Sequence, residues 1–115
     1  MEPQGSTVCL TVLVPAHAAQ QLVDYLMTDE HADVEFSMYE VAARGPLVHL
    51  AREEDQVRGF ARRTVARLLL DRDRCTALIG RLTELLAGLE GGYWITPVEG
   101  RGRFAGPVAQ SEAQA

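Results

Sequence analysis

Between Thr7 and Val14 the chain is almost wholly apolar or β-branched, with Thr11 the one polar position inside the run, and Pro15 ends it. A run of this kind predicts a strand buried on both faces. The period then changes. From Ala16 to Thr28, Ala19, Leu22, Val23, Leu26 and Met27 recur at helical spacing opposite Gln20, Gln21 and Asp24, which predicts an amphipathic helix starting just after a proline. The cluster from Thr28 to Asp33 ends it. Val34 to Ala43 returns to a period of two, with Val34, Phe36 and Met38, and Val41 as a candidate for the same face, against Glu35, Ser37 and Glu40. That alternation predicts a second strand with one wet face.

Between Arg44 and Arg58 lie Gly45-Pro46 and the charged run Arg52-Glu53-Glu54-Asp55, too polar to pack on both sides, so a long mobile loop is expected. Gly59 to Leu70 reads as a third strand, Phe60, Val65, Leu68 and Leu70 alternating imperfectly with Arg62, Arg63, Thr64 and Arg67. Helix is the alternative, because Ala, Arg and Leu all favour it. Asp71 or Asp73 can cap the next element, a short carboxylate there accepting orphan amide hydrogens at the positive end of the helix dipole. Its stripe is Ala77, Leu78, Leu82, Leu85, Leu86 and Leu89, and Gly88, Gly91 and Gly92 follow as left-handed stops. Tyr93 to Val98 forms a short strand interrupted by Pro97, which suits an edge. Glu99 to Ala115 is rich in Gly, Ala and Gln and is expected to fray.

The order strand, helix, strand, strand, helix, strand is that of an α+β, ferredoxin-like βαββαβ fold: a four-stranded antiparallel sheet with two helices on one face. The domain spans residues 1–103 and a flexible tail 104–115. One sheet face lacks a helix layer, and Phe36, Met38, Phe60 and Val65 cannot all point at the helices. Oligomerisation is the simplest cover.

Composition narrows the function. The 115 residues are 47% hydrophobic and 23% charged, values of one ordinary globular domain. Sixteen acidic residues against 11 basic ones give a net charge of -5, which excludes nucleic-acid binding by bulk charge, so any anion site must be local. Every basic residue is arginine. Cys9 and Cys75 lie in apolar segments without the spacing of a zinc or redox pair and read as buried thiols. No run reaches the roughly 18 to 20 apolar residues of a membrane span, and the N-terminus lacks a basic region followed by an apolar one, so a cytoplasmic location is expected.

Arg58, Arg62 and Arg63, with Arg67, form a basic stretch next to Glu53, Glu54 and Asp55; it is either a solvated salt-bridged face or, inside a cleft, an anion site. Arg101 and Arg103 alternate on a Gly-flanked segment, and their planar forks suit phosphate or carboxylate, although a solvated tail gives the same sequence. Gly91 and Gly92 offer amide hydrogens to a phosphate or simply cap a helix. His17, His31 and His49 have no metal-ligand spacing. Of the three, His49 in the charged loop is the candidate ligand for a divalent metal, with Glu40, Glu53 or Cys9 as partners; exposed or capping histidines are the plainer reading. Tyr39 and Trp94 either stack a ring or belong to core or interface. No carboxylate pair, Ser-His-Asp set or activated cysteine has catalytic spacing, so no enzyme is expected.

The residues Leu10 to Pro15, the step Leu22-Val23-Asp24, the segment Glu54-Asp55-Gln56-Val57-Arg58-Gly59 followed by Arg62-Arg63, and above all Tyr93-Trp94-Ile95-Thr96-Pro97-Val98 with Gly100-Arg101 resemble the PII-like and CutA-like superfamily. Within it the likeness is to a small bacterial family of unknown function whose genes are often near heavy-metal efflux systems. The resemblance covers about Val8 to Arg103. It implies a homotrimer with sheets facing a central axis, and a regulator rather than an enzyme. From PII it implies an adenine nucleotide (ADP, ATP or AMP) in clefts between subunits, held by the loop base at Gly45, the turn at Gly91-Gly92 and the basic residues Arg101 and Arg103. From the CutA side it implies a divalent metal ion. The lysine that PII uses on phosphate has no counterpart here. The expectation is therefore a small-ligand sensor that docks on a membrane transporter through residues 44–58, with a metal-homeostasis protein or a structural trimeric adaptor as alternatives.

Overall fold

The structure is a computed structural model describing residues 6–48, 50 and 52–105. Strand β1 (Thr7–Pro15) lies inside the sheet, antiparallel to β3 (Ala61–Asp71) on one side and to β4 (Gly92–Pro97) on the other, while β2 (Glu35–Ala43) pairs with the outer side of β3. The order β2-β3-β1-β4, with helices α1 (Ala19–Leu26) and α3 (Arg72–Leu85), is the expected ferredoxin-like arrangement. A short helix α2 (Glu53–Arg58) is inserted between β2 and β3.

The core follows from strand parity. Val8, Leu10, Val12 and Val14 of β1 and Ala66, Leu68 and Leu70 of β3 point to one face and meet Leu22 and Leu26 of α1 and Cys75, Leu78 and Leu82 of α3. Leu10, Leu22 and Leu68 are fully buried, and each contributes roughly 1.5–3 kcal/mol of burial. Pairing settles the identity of β3. It is hydrogen-bonded on both sides, Leu68 opposite Leu10 and Phe36, so tertiary context overrides the helix propensity of its Ala, Arg and Leu residues.

Phe36 and Met38 pack on the helix side, whereas Val41 faces the other way, against the expectation that it joins them. The second sheet face is partly covered from within the chain. Leu13, Ala61 and Val65 lie beneath Val48, with Leu50, Val41 and Ala43 partly buried around them. Oligomerisation is thus not needed to cover that end. Further along the same face Tyr39 and Trp94 remain about half exposed, on opposite edge strands.

The segment 44–58 departs from the expected loop. It opens with a tight turn in which the Val48 amide donates to the Gly45 carbonyl at 2.9 Å, and it ends in α2. Three acids, Glu53, Glu54 and Asp55, occupy the first turn of α2 and Arg58 the last, an order that complements the helix dipole. Gly59 closes the helix in the left-handed region at φ 83, its amide donating to the Asp55 carbonyl at 2.8 Å. The Gln56 amide group ties it back to the Leu50 carbonyl at 2.9 Å.

α1 is shorter than its apolar stripe. A 3-10 turn over Ala16–Ala18 precedes it and it stops at Leu26, where the Thr28 hydroxyl donates to the Tyr25 carbonyl at 2.9 Å. His31 then hydrogen-bonds through Nδ1 to the same hydroxyl at 3.0 Å and tilts against the Tyr25 ring at 4.7 Å, so it serves the turn. Asp71 caps α3, accepting from the Arg74 amide at 2.8 Å. Arg74 in turn holds Asp33 at 2.8 Å, and that hydrogen bond keeps the Asp33 carboxyl below its ordinary range. Both cysteines are buried free thiols, and burial pushes the Cys75 thiol up, away from the reactive thiolate. Among the described residues no helix is long and apolar enough to cross a membrane.

Candidate functional site

At the end of the sheet where β1 meets the start of β3, Pro15 stands opposite Arg63. Three segments converge there: the 3-10 turn carrying His17, the first residues of β3 carrying Arg62 and Arg63, and α2 with Arg52 just ahead of it. They enclose a hollow of about 470 Å³ lined by Arg52, Arg58, Arg62, Arg63, Asp55 and Glu90, with His17 at its wall. Four arginines and two acids therefore border the hollow, and with Glu54 engaging Arg52 a modest local positive excess remains within a chain of net charge -5.

The four arginines are held differently. Asp55 is only 6% exposed, and Arg58 pairs with it while lying 5.2 Å over the Phe60 ring. A buried carboxylate needs such a partner. Arg52 is engaged by Glu54 at 2.8 Å on the surface. Arg63 is buried and donates to the Arg62 carbonyl at 2.9 Å. Arg62 is exposed, and its guanidinium makes no hydrogen bond or ion pair among the described residues. Arg58 and Arg63, held in place beside the exposed guanidinium of Arg62, suit the bidentate binding of a carboxylate or phosphate.

Arg58, Arg62 and Arg63 are thus brought together. Gly45 heads the turn at φ 142 and is not among the lining residues. Gly92 opens β4 and Gly91 directly precedes it, so neither caps α3, which has already ended at Leu85. Their lack of side chains has another cause. A Cβ on Gly91, at φ 143, would stand 2.3 Å from the Leu13 carbonyl oxygen, and one on Gly92 would meet the Leu47 side chain at 2.8 Å. Both line a second cavity, of about 290 Å³, which shares Glu90 with the hollow. Arg101 pairs with Glu35, near the end of the sheet remote from the hollow, and Arg103 is exposed beyond it. His49 lies outside the described residues. Among the described residues no three His, Cys, Asp or Glu side chains cluster to hold a metal ion.

Sequence reasoning did not assign Arg52, Asp55, Glu90 or His17 to an anion site. Only the pairing of Pro15 with Arg63 would have pointed to His17, and Asp55 stood among acids that read as solvated.

The sequence model of DUF3240, described as a protein of unknown function, matches residues 4–105. The chain belongs to the DUF3240 family. No curated protein is similar enough in sequence to match it. A crystal structure of a DUF3240 family protein from Shewanella baltica OS155 superposes with a TM-score of 0.69 at 18% identity, over 87% of this chain and 98% of that one. The crystal structure of Arabidopsis thaliana PII bound to citrate gives a TM-score of 0.59 at 15% identity, over 82% of this chain and 78% of that one. This DUF3240 protein therefore has a PII-like fold, in agreement with the resemblance read from the sequence.

Replacing Gly91 with Ala should lower the unfolding free energy by at least about 2 kcal/mol, because the Leu13 carbonyl is backbone and cannot yield. Chemical denaturation checks it; a change below about 0.5 kcal/mol would mean the close approach is not tight.

Proposed function

We propose that this DUF3240 protein is a non-enzymatic, PII-like cytoplasmic regulator that binds a small polyanion, an adenine nucleotide or a polycarboxylate, in the arginine hollow. The observation that carries the reading is the convergence of Arg52, Arg58, Arg62 and Arg63 on one 470 Å³ space in an acidic protein. Charge placed against the sign of the whole molecule needs a local reason, and Asp55, Glu90 and the Glu54 partner of Arg52 do not offset all of it. The citrate of the Arabidopsis PII structure supports a polycarboxylate as the first ligand to try.

The same reading assembles the chain into a trimer. Arg103, and Arg101 once released from Glu35, would reach the hollow or the Gly45 turn of the next copy. An exposed ion pair such as that of Arg101 contributes about 0–1 kcal/mol and yields readily. Binding would then be reported outward through the segment 44–58, whose Val57 is 83% exposed and whose Leu47 is 43% exposed, apolar surface fit for a partner such as a membrane transporter.

Titration calorimetry with citrate, ADP, ATP and AMP tests the site. A charge-assisted contact is worth roughly 1.5–3 kcal/mol, so Arg62→Ala should weaken the best of these at least tenfold while leaving the melting temperature unchanged. No heat from any of the four at millimolar concentration would refute the reading. Light scattering should give about three chain masses at micromolar concentration, and a monomer would remove the intersubunit part of the proposal.

A further inference from the structure

The arginine hollow adjoins a cavity of opposite character. On the helix side of the sheet Leu10 and Val12 of β1, Leu82 of α3, and Leu86 and Leu89 beyond that helix wall a space of about 290 Å³. That is about twice the roughly 150 Å³ of an apolar cavity that takes up benzene. Its polar side groups are few. The Thr83 hydroxyl donates to the Ile79 carbonyl at 2.7 Å and is spent. What remains is the hydroxyl of Tyr93, a half-exposed residue, and Glu90, exposed on the rim that both spaces share.

The geometry points to an amphiphilic anion as the ligand of the two spaces together, a medium-chain carboxylate whose aliphatic tail enters the leucine-walled cavity and whose head lies among Arg58, Arg62 and Arg63. The inference rests on the anion reading of the hollow and narrows its ligand class. Charge complementarity selects the sign of the head, since an aliphatic cation would meet a space bordered by four arginines, of which Arg62 is exposed with no side-chain partner among the described residues. The aliphatic wall selects the tail, since a fully polar anion would leave that apolar surface unmatched. Glu90 repels a carboxylate on the rim and so confines the head to the arginine side.

Calorimetry of the full chain with sodium decanoate below its micelle concentration tests this. Decanoate should bind at least a hundredfold more tightly than acetate, with octanoate about tenfold weaker than decanoate, as burial of two methylenes requires. Thr83→Phe, at an exposed α3 position facing the cavity, should weaken decanoate at least tenfold and leave citrate unchanged; Ala87→Phe does the same should the first variant lower the melting temperature. Glu90→Gln should tighten decanoate severalfold. If citrate binds in an Arg62-dependent way but decanoate is no tighter than acetate, or if decylammonium matches decanoate, the amphiphile inference is overturned while the anion reading stands. If neither citrate nor decanoate binds, both fall together.

Discussion

The nine-residue antiparallel register between β1 and β3, from Thr7 opposite Asp71 to Pro15 opposite Arg63, is the constraint on which the rest depends. Side chains alternate across a strand, so a slip of one residue would turn Leu10 and Leu68 away from the helices and carry polar residues such as Thr11 and Arg67 into the core. The same register delivers Arg62 and Arg63 to the turn that bears His17. Core and candidate site are therefore set by one pairing, and the burial that fixes the first holds the second in place.

At that end of the sheet, electrostatics take over from packing. Four arginines cannot be gathered without counter-charge, and Asp55 supplies the buried part of it from inside α2, paired with Arg58 and almost sealed from water, with Glu54 on Arg52 and Glu90 at the rim. A carboxylate in that position holds the Arg58 guanidinium in place, which would lower the ordering cost for an anion that uses it. Arg58 is itself the last residue of α2, so an anion that engaged its guanidinium would act on that helix directly. The exposed Val57 lies on the same short helix.

Much of the fold was legible because single residues had single explanations. The continuous run of β1 reads as a strand buried on both faces, Asp71 or Asp73 as a cap, of which the structure uses Asp71, and Pro97 as the mark of an edge strand. β3 was ambiguous, since its Ala, Arg and Leu residues suit a helix until two neighbours bond to it. α2 escaped because six residues with three acids carry too little apolar periodicity to separate a helix from a solvated loop. Arg58, Arg62 and Arg63 were recognisable as a basic stretch. Their neighbours Arg52, Asp55 and Glu90 were not, because what joins them is the sheet register and not spacing along the chain. Gly91 and Gly92 show the opposite error. They read as helix caps, whereas the Leu13 carbonyl excludes a Cβ at Gly91 and the Leu47 side chain, more than 40 residues away, would have to shift for one at Gly92.

The central claim is that this local positive excess is an anion site and not merely a balanced surface. The most direct test is heteronuclear NMR of the arginine Nε–H groups during titration with citrate. The account predicts saturable shifts confined to the resonances of Arg58, Arg62 and Arg63, following one binding curve. Small unsaturable shifts spread equally over Arg72 and Arg81, which lie on α3 away from the hollow, would contradict it.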